Sequence, residues 1–167
     1  MGDGDARDES DVTRPPLIEG RSAWIEALGS ILMAPAPGFC LYSPDYAEWP
    51  LDDARVVDAL TRWALSRRGI SMRMLARNFD FVQTRAPRFV QWRIQFAHVV
   101  ACQSIEPRFA EPAEGVLGAM RGLVALRGTH ARRAVWVEGA ALHAEQGGFD
   151  AAWDLSEPAF APTIAGL

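Results

Sequence analysis

Lysine is absent from this chain: all seventeen basic side chains are arginine. That removes any catalytic lysine. Only two cysteines occur, Cys40 and Cys102, each inside an apolar stretch (GFCLY and VVACQSI), where a thiol behaves as a small buried hydrophobe. They imply neither a disulfide framework nor a metal site. His98, His130 and His143 have no ligand spacing with each other or with the cysteines, so no metal and no cofactor is expected. No apolar run reaches the roughly 18 residues that span a bilayer, and the first eleven residues are acidic where a secretory signal would be basic and then apolar. The expectation is a cytoplasmic protein with no membrane partner. The sequence also lacks a G-x-S-x-G elbow, a P-loop and a dinucleotide-binding fingerprint.

What is present suits one packed core. At 167 residues and 49% hydrophobic content, the chain can bury about two-thirds of its unfolded surface. Six Trp and eight Phe against two Tyr make the aromatic load apolar. Residues 1–16 carry Asp, Glu, Gly and Ser and almost no large apolar groups, so they are expected to be a disordered acidic tail, with 17–167 as a single α/β domain.

Periodicity orders the elements. Trp24, Ile25, Leu28, Ile31 and Leu32 recur at helical spacing and predict a helix ending before Pro35. Gly38 to Tyr42 reads as a first buried strand. Asp52 or Asp53 can cap a helix striped by Val56, Val57, Leu60, Trp63 and Ala64, and Ile70 to Ala76 is the next strand, as in a βαβ unit. Pro87 opens a helix with Arg88, Gln91, Gln95 and His98 on its polar face, and Val99 to Ile105 is a third strand. Val116 to Met120 reads as a short helix, and Leu123 to Leu126 and Ala134 to Val137 as strands. Glu138-Gly139 would turn a hairpin with Ala140 to Ala144 returning, and a short helix through Phe149 and Trp153 would follow Gly147 or Gly148. Pro158 and Pro162 argue against regular structure at the end. The sum is an α/β fold with one mixed sheet of five or six strands flanked by helices.

Ser66 to Ala76 (SRRGISMRMLA) is similar to the Arg-Gly-Val-x-Val-Arg stretch that follows a helix in phospholipase D-like domains. Thr129-His130-Ala131-Arg132 followed by Ala134 to Gly139 resembles a worn His-x-Lys-x4-Asp-Gly motif of that superfamily. His130 matches the histidine, Arg132 stands for the lysine, and Glu138 supplies an acid one position late. Phe149 to Phe160 resembles the helix that closes many such domains. The resemblance covers most of residues 38–160 and extends to small uncharacterised proteobacterial proteins of this architecture. It implies a phospholipase D-like half that has lost its catalytic residues, since the family's histidine attacks phosphorus, its lysine holds the phosphate, and two motifs meet by dimerisation or duplication.

Charge is uneven under the net value of −4. Arg62, Arg67, Arg68, Arg73, Arg77, Arg85, Arg88 and Arg93 face only Asp80 within residues 62–93. With Phe89 and Trp92 among them, Arg85, Arg88, Trp92 and Arg93 are candidates for an anion-binding face that stacks unpaired bases; alternatively these arginines are spread over several elements and paired with carboxylates. Arg93 falls on the apolar side of its helix and calls for Asp80, Glu106 or a bound anion. Asp45 and Glu48, in the loop after the first strand, could form an acid/base pair or serve as surface groups.

Three functions follow in order. The first is a non-catalytic interaction or scaffold protein that self-associates as a homo-oligomer or meets another protein through Trp49, Trp63 or the C-terminal segment. The second is a module for single-stranded nucleic acid or another polyanion. The third is a weak phosphodiesterase using His130 and Arg132.

Overall fold

A computed structural model of the protein describes residues 16–66, 68–128 and 131–162. The expected tail apart from Pro16, together with Arg67, His130 and the apolar end residues Ile164 and Leu167, lies outside the described residues. Thirteen elements run in order: β1 (Leu17–Glu19), α1 (Arg21–Met33), β2 (Gly38–Tyr42), α2 (Ala54–Ser66), β3 (Ser71–Ala76), α3 (Asp80–Arg85), α4 (Pro87–Gln95), β4 (Val100–Ser104), β5 (Gly115–Leu117), β6 (Gly122–Ala125), β7 (Arg133–Val137), α5 (Gly139–Asp154) and β8 (Glu157–Pro158). The strands form one mixed sheet in the order β1-β7-β6-β5-β2-β3-β4-β8. β2, β3 and β4 are parallel neighbours, linked through α2 and through α3 with α4; the remaining pairings are antiparallel.

Alternation along the strands builds two cores. Phe39, Leu41, Met72, Met74, Val100, Cys102, Val116, Leu123 and Ala134 face α1, α2, α3 and α4. Tyr42, Leu75, Leu117, Val124 and Val137 face the other way, where Leu142, Phe149 and Ala152 of α5 cover them. This period-2 split is why the sheet is covered on both faces.

Four expectations change. The sheet has eight strands, because β1, β5 and β8 are only two or three residues long and leave no periodic trace. Val116 to Met120 is not a helix: Gly115–Leu117 is a strand between β2 and β6. No hairpin follows β7; Gly139 starts a sixteen-residue helix that runs through Gly147 and Gly148. And α3 precedes the helix opened by Pro87. The aspartates share the capping work: Asp53 Oδ1 accepts from Arg55 N at the start of α2 (2.8 Å), while Asp52 Oδ1 accepts from Arg88 N at the start of α4 (2.7 Å).

Candidate functional site

The three parallel strands end at one edge of the sheet, and that edge is where open α/β sheets place ligands. β5 and β7 begin there and β1 and β6 end there, so Tyr42, Ser43, Arg77, Glu114, Ala125 and Arg132 converge although they are far apart in sequence. A cavity of about 310 Å³ opens among Tyr42, Glu111, Pro112, Glu114, Leu126, Arg127 and Arg132.

Arg132 is the hub. It reaches Glu48 through Nε at 3.1 Å and through a very short contact from Nη2, and Glu114 Oε2 through Nη1 at 2.5 Å. Its guanidinium carbon lies 4.9 Å from the Trp24 ring centroid. Burial opposes the charge, but the hydrogen bonds to Glu48 and Glu114 outweigh it and hold the group above its ordinary pKa. Glu114 Oε1 also accepts from Ser43 Oγ (2.9 Å) and Trp49 Nε1 (3.1 Å). Arg77 pairs with Glu111, and Arg127 Nη2 donates to the carbonyls of Glu111 (2.6 Å) and Pro112 (2.9 Å). Tyr42 Oη is buried without a hydrogen bond; burial pushes its pKa up to about 12, partly offset by the Arg77 charge.

The predicted site residues separate. Arg132 does occupy the carboxyl edge and borders the cavity, yet Nε, Nη1 and Nη2 each engage a carboxylate. Glu138 lies past the opposite end of β7, where it is the N-cap position of α5; six residues of extended chain place it about 20 Å from Arg132, too far for a shared site. His130 lies outside the described residues. Glu48 is Arg132's partner, and Asp45 Oδ1 caps the turn at Ala47 N (3.0 Å), so the two do not act as a pair.

The Arg/aromatic face does not form as expected. Trp92 is 2% exposed and packs between Phe89 (ring centroids 5.5 Å) and Phe96 (5.6 Å), because its position shares the stripe that α4 turns to the sheet. It offers no ring to a base. Arg88 is exposed and pairs with Asp52; Arg85 is exposed without an ion pair among the described residues. Arg73 lies on the α5 face, bound to Asp150 at 2.7 Å and set beside Phe149 and Trp153. The described arginines of residues 62–93 therefore spread over both faces of the sheet. Arg93 is buried as expected, but neither Asp80 nor Glu106 meets it: Nε and Nη1 have no hydrogen-bond partner, and Glu106 pairs with Arg108 instead.

Glu114, the acid that completes the hub, carried no motif. Its only trace in the sequence is a carboxylate immediately ahead of the apolar run Gly115–Leu117. Among the described residues no group of three or more His, Cys, Asp and Glu side chains is placed to hold a metal ion, and no helix is long and apolar enough to cross a membrane.

Residues 22–161 match the family described as a domain of unknown function, DUF7931. The chain belongs to this family. No curated protein matches the sequence. Among solved structures, this DUF7931 chain is similar to TrmBL2, an archaeal chromatin protein whose structure shows a mode of DNA binding, at TM-score 0.65 and 12% identity over 92% of this chain. It spans 56% of that protein's length. It is also similar to the phospholipase D family member Nuc from Salmonella typhimurium, at TM-score 0.53 and 10% identity, over 86% of this chain and 97% of Nuc. At these identities the likeness is one of fold: the DUF7931 domain has a phospholipase D-like architecture.

Proposed function

We propose that this DUF7931 protein is a non-catalytic interaction module on a phospholipase D-like fold, with a second copy of itself as its first partner. The observation that carries the reading is the commitment of Arg132. Arg132, which the sequence resemblance sets in place of the phospholipase D-like lysine, is held by Glu48 and Glu114, so a phosphate would have to displace two carboxylates from one cation. A contact surface is available elsewhere. α1 and α2 leave a groove of about 580 Å³ lined by Leu32, Met33, Pro35, Ala59 and Trp63, with Met33 45% exposed. Trp63 borders this groove but is as buried as Trp49, with its indole N–H donating to the Ala36 carbonyl, so neither tryptophan is an exposed anchor and the accessible large apolar group is Met33. Sedimentation equilibrium tests the reading: a dimer that Met33→Asp dissociates is expected, and a monomer at all concentrations would refute self-association. Hydrolysis of bis(p-nitrophenyl) phosphate is expected to stay at the buffer rate across pH and added divalent metals.

A second reading, binding of a polyanion such as single-stranded nucleic acid, has its own support. The similar archaeal protein binds DNA, and Arg62, Arg68 and Arg85 are exposed without ion pairs among the described residues. Anisotropy of a labelled single-stranded oligonucleotide at about 50 and about 200 mM salt tests it, because six or more phosphate contacts would cost roughly a thousandfold in affinity between them. Absence of binding at the lower salt removes this reading.

A further inference from the structure

Arg93 is out of place by ordinary energetic rules. A guanidinium 5% exposed, with no carboxylate in contact among the described residues, has lost water at Nε and Nη1 without gaining an acceptor for either. Its compensations are weak: the Phe160 ring, 5.9 Å from the guanidinium carbon, and a contact with the neutral Cys102 thiol. Beside it lies a cavity of about 360 Å³ walled by Arg93, Ala101, Cys102, Pro158, Ala159 and Pro162. The cavity exists because β8 pairs only with Gln103 and Ser104 of β4, after which the chain peels away from the β4 edge, with Ala159 N still bonded to Cys102 O at 3.0 Å.

From the unpaired cation and the cavity it borders, we propose that this is a binding site for a monovalent carboxylate carrying a compact apolar group. The charge count selects the ligand. One guanidinium neutralises one carboxylate, and its planar donors suit that group's two oxygens, while a phosphate dianion would leave a charge unmatched against alanine and proline. The volume suits a small acid. Cys102 shares the wall as a thiol: burial pushes its pKa up to about 11 although the Arg93 charge pulls the other way, so it offers no competing anion at neutral pH. The site stands apart from the Arg132 hub, and its fate is independent of the proposed self-association.

The carboxylate could belong to a free organic acid or to the end of a peptide laid along the β4 edge, and calorimetry on the full chain separates the two. Benzoate is compared with neutral benzamide, and a tetrapeptide having a free C-terminal carboxylate with the same peptide amidated. Binding of either acid with no binding of its neutral counterpart is expected, and whichever acid binds identifies the source. Arg93→Met should fold with an unfolding midpoint equal to or above that of the unliganded wild type and lose at least tenfold in affinity. Arg93→Lys, which keeps the charge and loses the planar fork, should fall between. Failure of both acids to bind the wild type at millimolar concentration, or equal binding by Arg93→Met, overturns the proposal.

Discussion

Arg132 Nη1 and Glu114 Oε2, 2.5 Å apart, join the residue that precedes β7 to the residue that precedes β5, passing across the end of β6 that lies between them. The pair ties three strand ends together at the edge where a ligand would enter, and Ser43 and Trp49 attach the loop after β2 to the same carboxylate. It is half-buried, so removing one partner strands the other in a place that water reaches poorly. Arg132→Met is expected to destabilise the fold by about 2–3 kcal/mol. The double variant Arg132→Met/Glu114→Gln should recover part of that loss. Urea unfolding followed by tryptophan fluorescence measures both.

Trp92 decides between an aromatic binding platform and a core anchor. Packed between Phe89 and Phe96, it should cost about 3–5 kcal/mol when truncated to alanine. Trp92→Phe should cost far less and leave any oligonucleotide affinity unchanged. A fall in affinity without loss of stability in Trp92→Phe would contradict its burial.

Gly115 has no room for a side chain. A Cβ built there would lie 2.0 Å from the Leu123 carbonyl oxygen and 2.9 Å from Val124 Cα, both backbone atoms of β6 that cannot swing away. Gly115→Ala is expected to break the β5–β6 pairing and leave little folded protein, measured as soluble yield and circular dichroism. Gly147→Ala, with open space around its Cβ, should instead strengthen α5 by up to about 1 kcal/mol.

Alkaline stability follows from buried acids of one sign. Burial raises Tyr42 to about 12 and Cys102 to about 11, and it also raises Tyr46, whose hydroxyl donates to the carbonyls of Leu41 and Leu75. Each group holds its proton more tightly folded than unfolded, so its contribution is complete below its unfolded pKa and lost as pH climbs through the folded value. Stability should fall between about pH 9 and 12, at about 1.4 kcal/mol per pH unit for each proton retained. Tyr42→Phe should make the fall shallower above pH 10, and thermal unfolding from pH 8 to 11 reads the difference.

The parts legible in sequence were those with a period. α1, α2, α4, β2, β3 and β4 stand close to their expected places because apolar spacing, a proline at Pro87 and apolar runs mark them locally. α5 was mistaken because Gly147 and Gly148 look like a break, yet they sit on its exposed side and the helix is held by Leu142, Phe149 and Ala152. The phospholipase D-like architecture was suggested by the resemblance of Ser66 to Ala76 and Phe149 to Phe160 to that family, while the site was not legible: Glu48, Glu114 and Arg132 meet only in the folded sheet. Arg93 shows the same limit in reverse, since its burial followed from helical spacing while the missing partner depends on how the chain after β8 diverges.

The strand order carries a message about assembly. β2, β3 and β4 zip up through neighbouring stretches of chain, but Leu17 must find Val135 and Gln103 must find Pro158 before the sheet has its outer edges. Both pairings close long loops through strands of only two or three residues that bury little of their own, so the two rims should form last and exchange their amide hydrogens first, around a slowly exchanging centre at Leu41 and Met74.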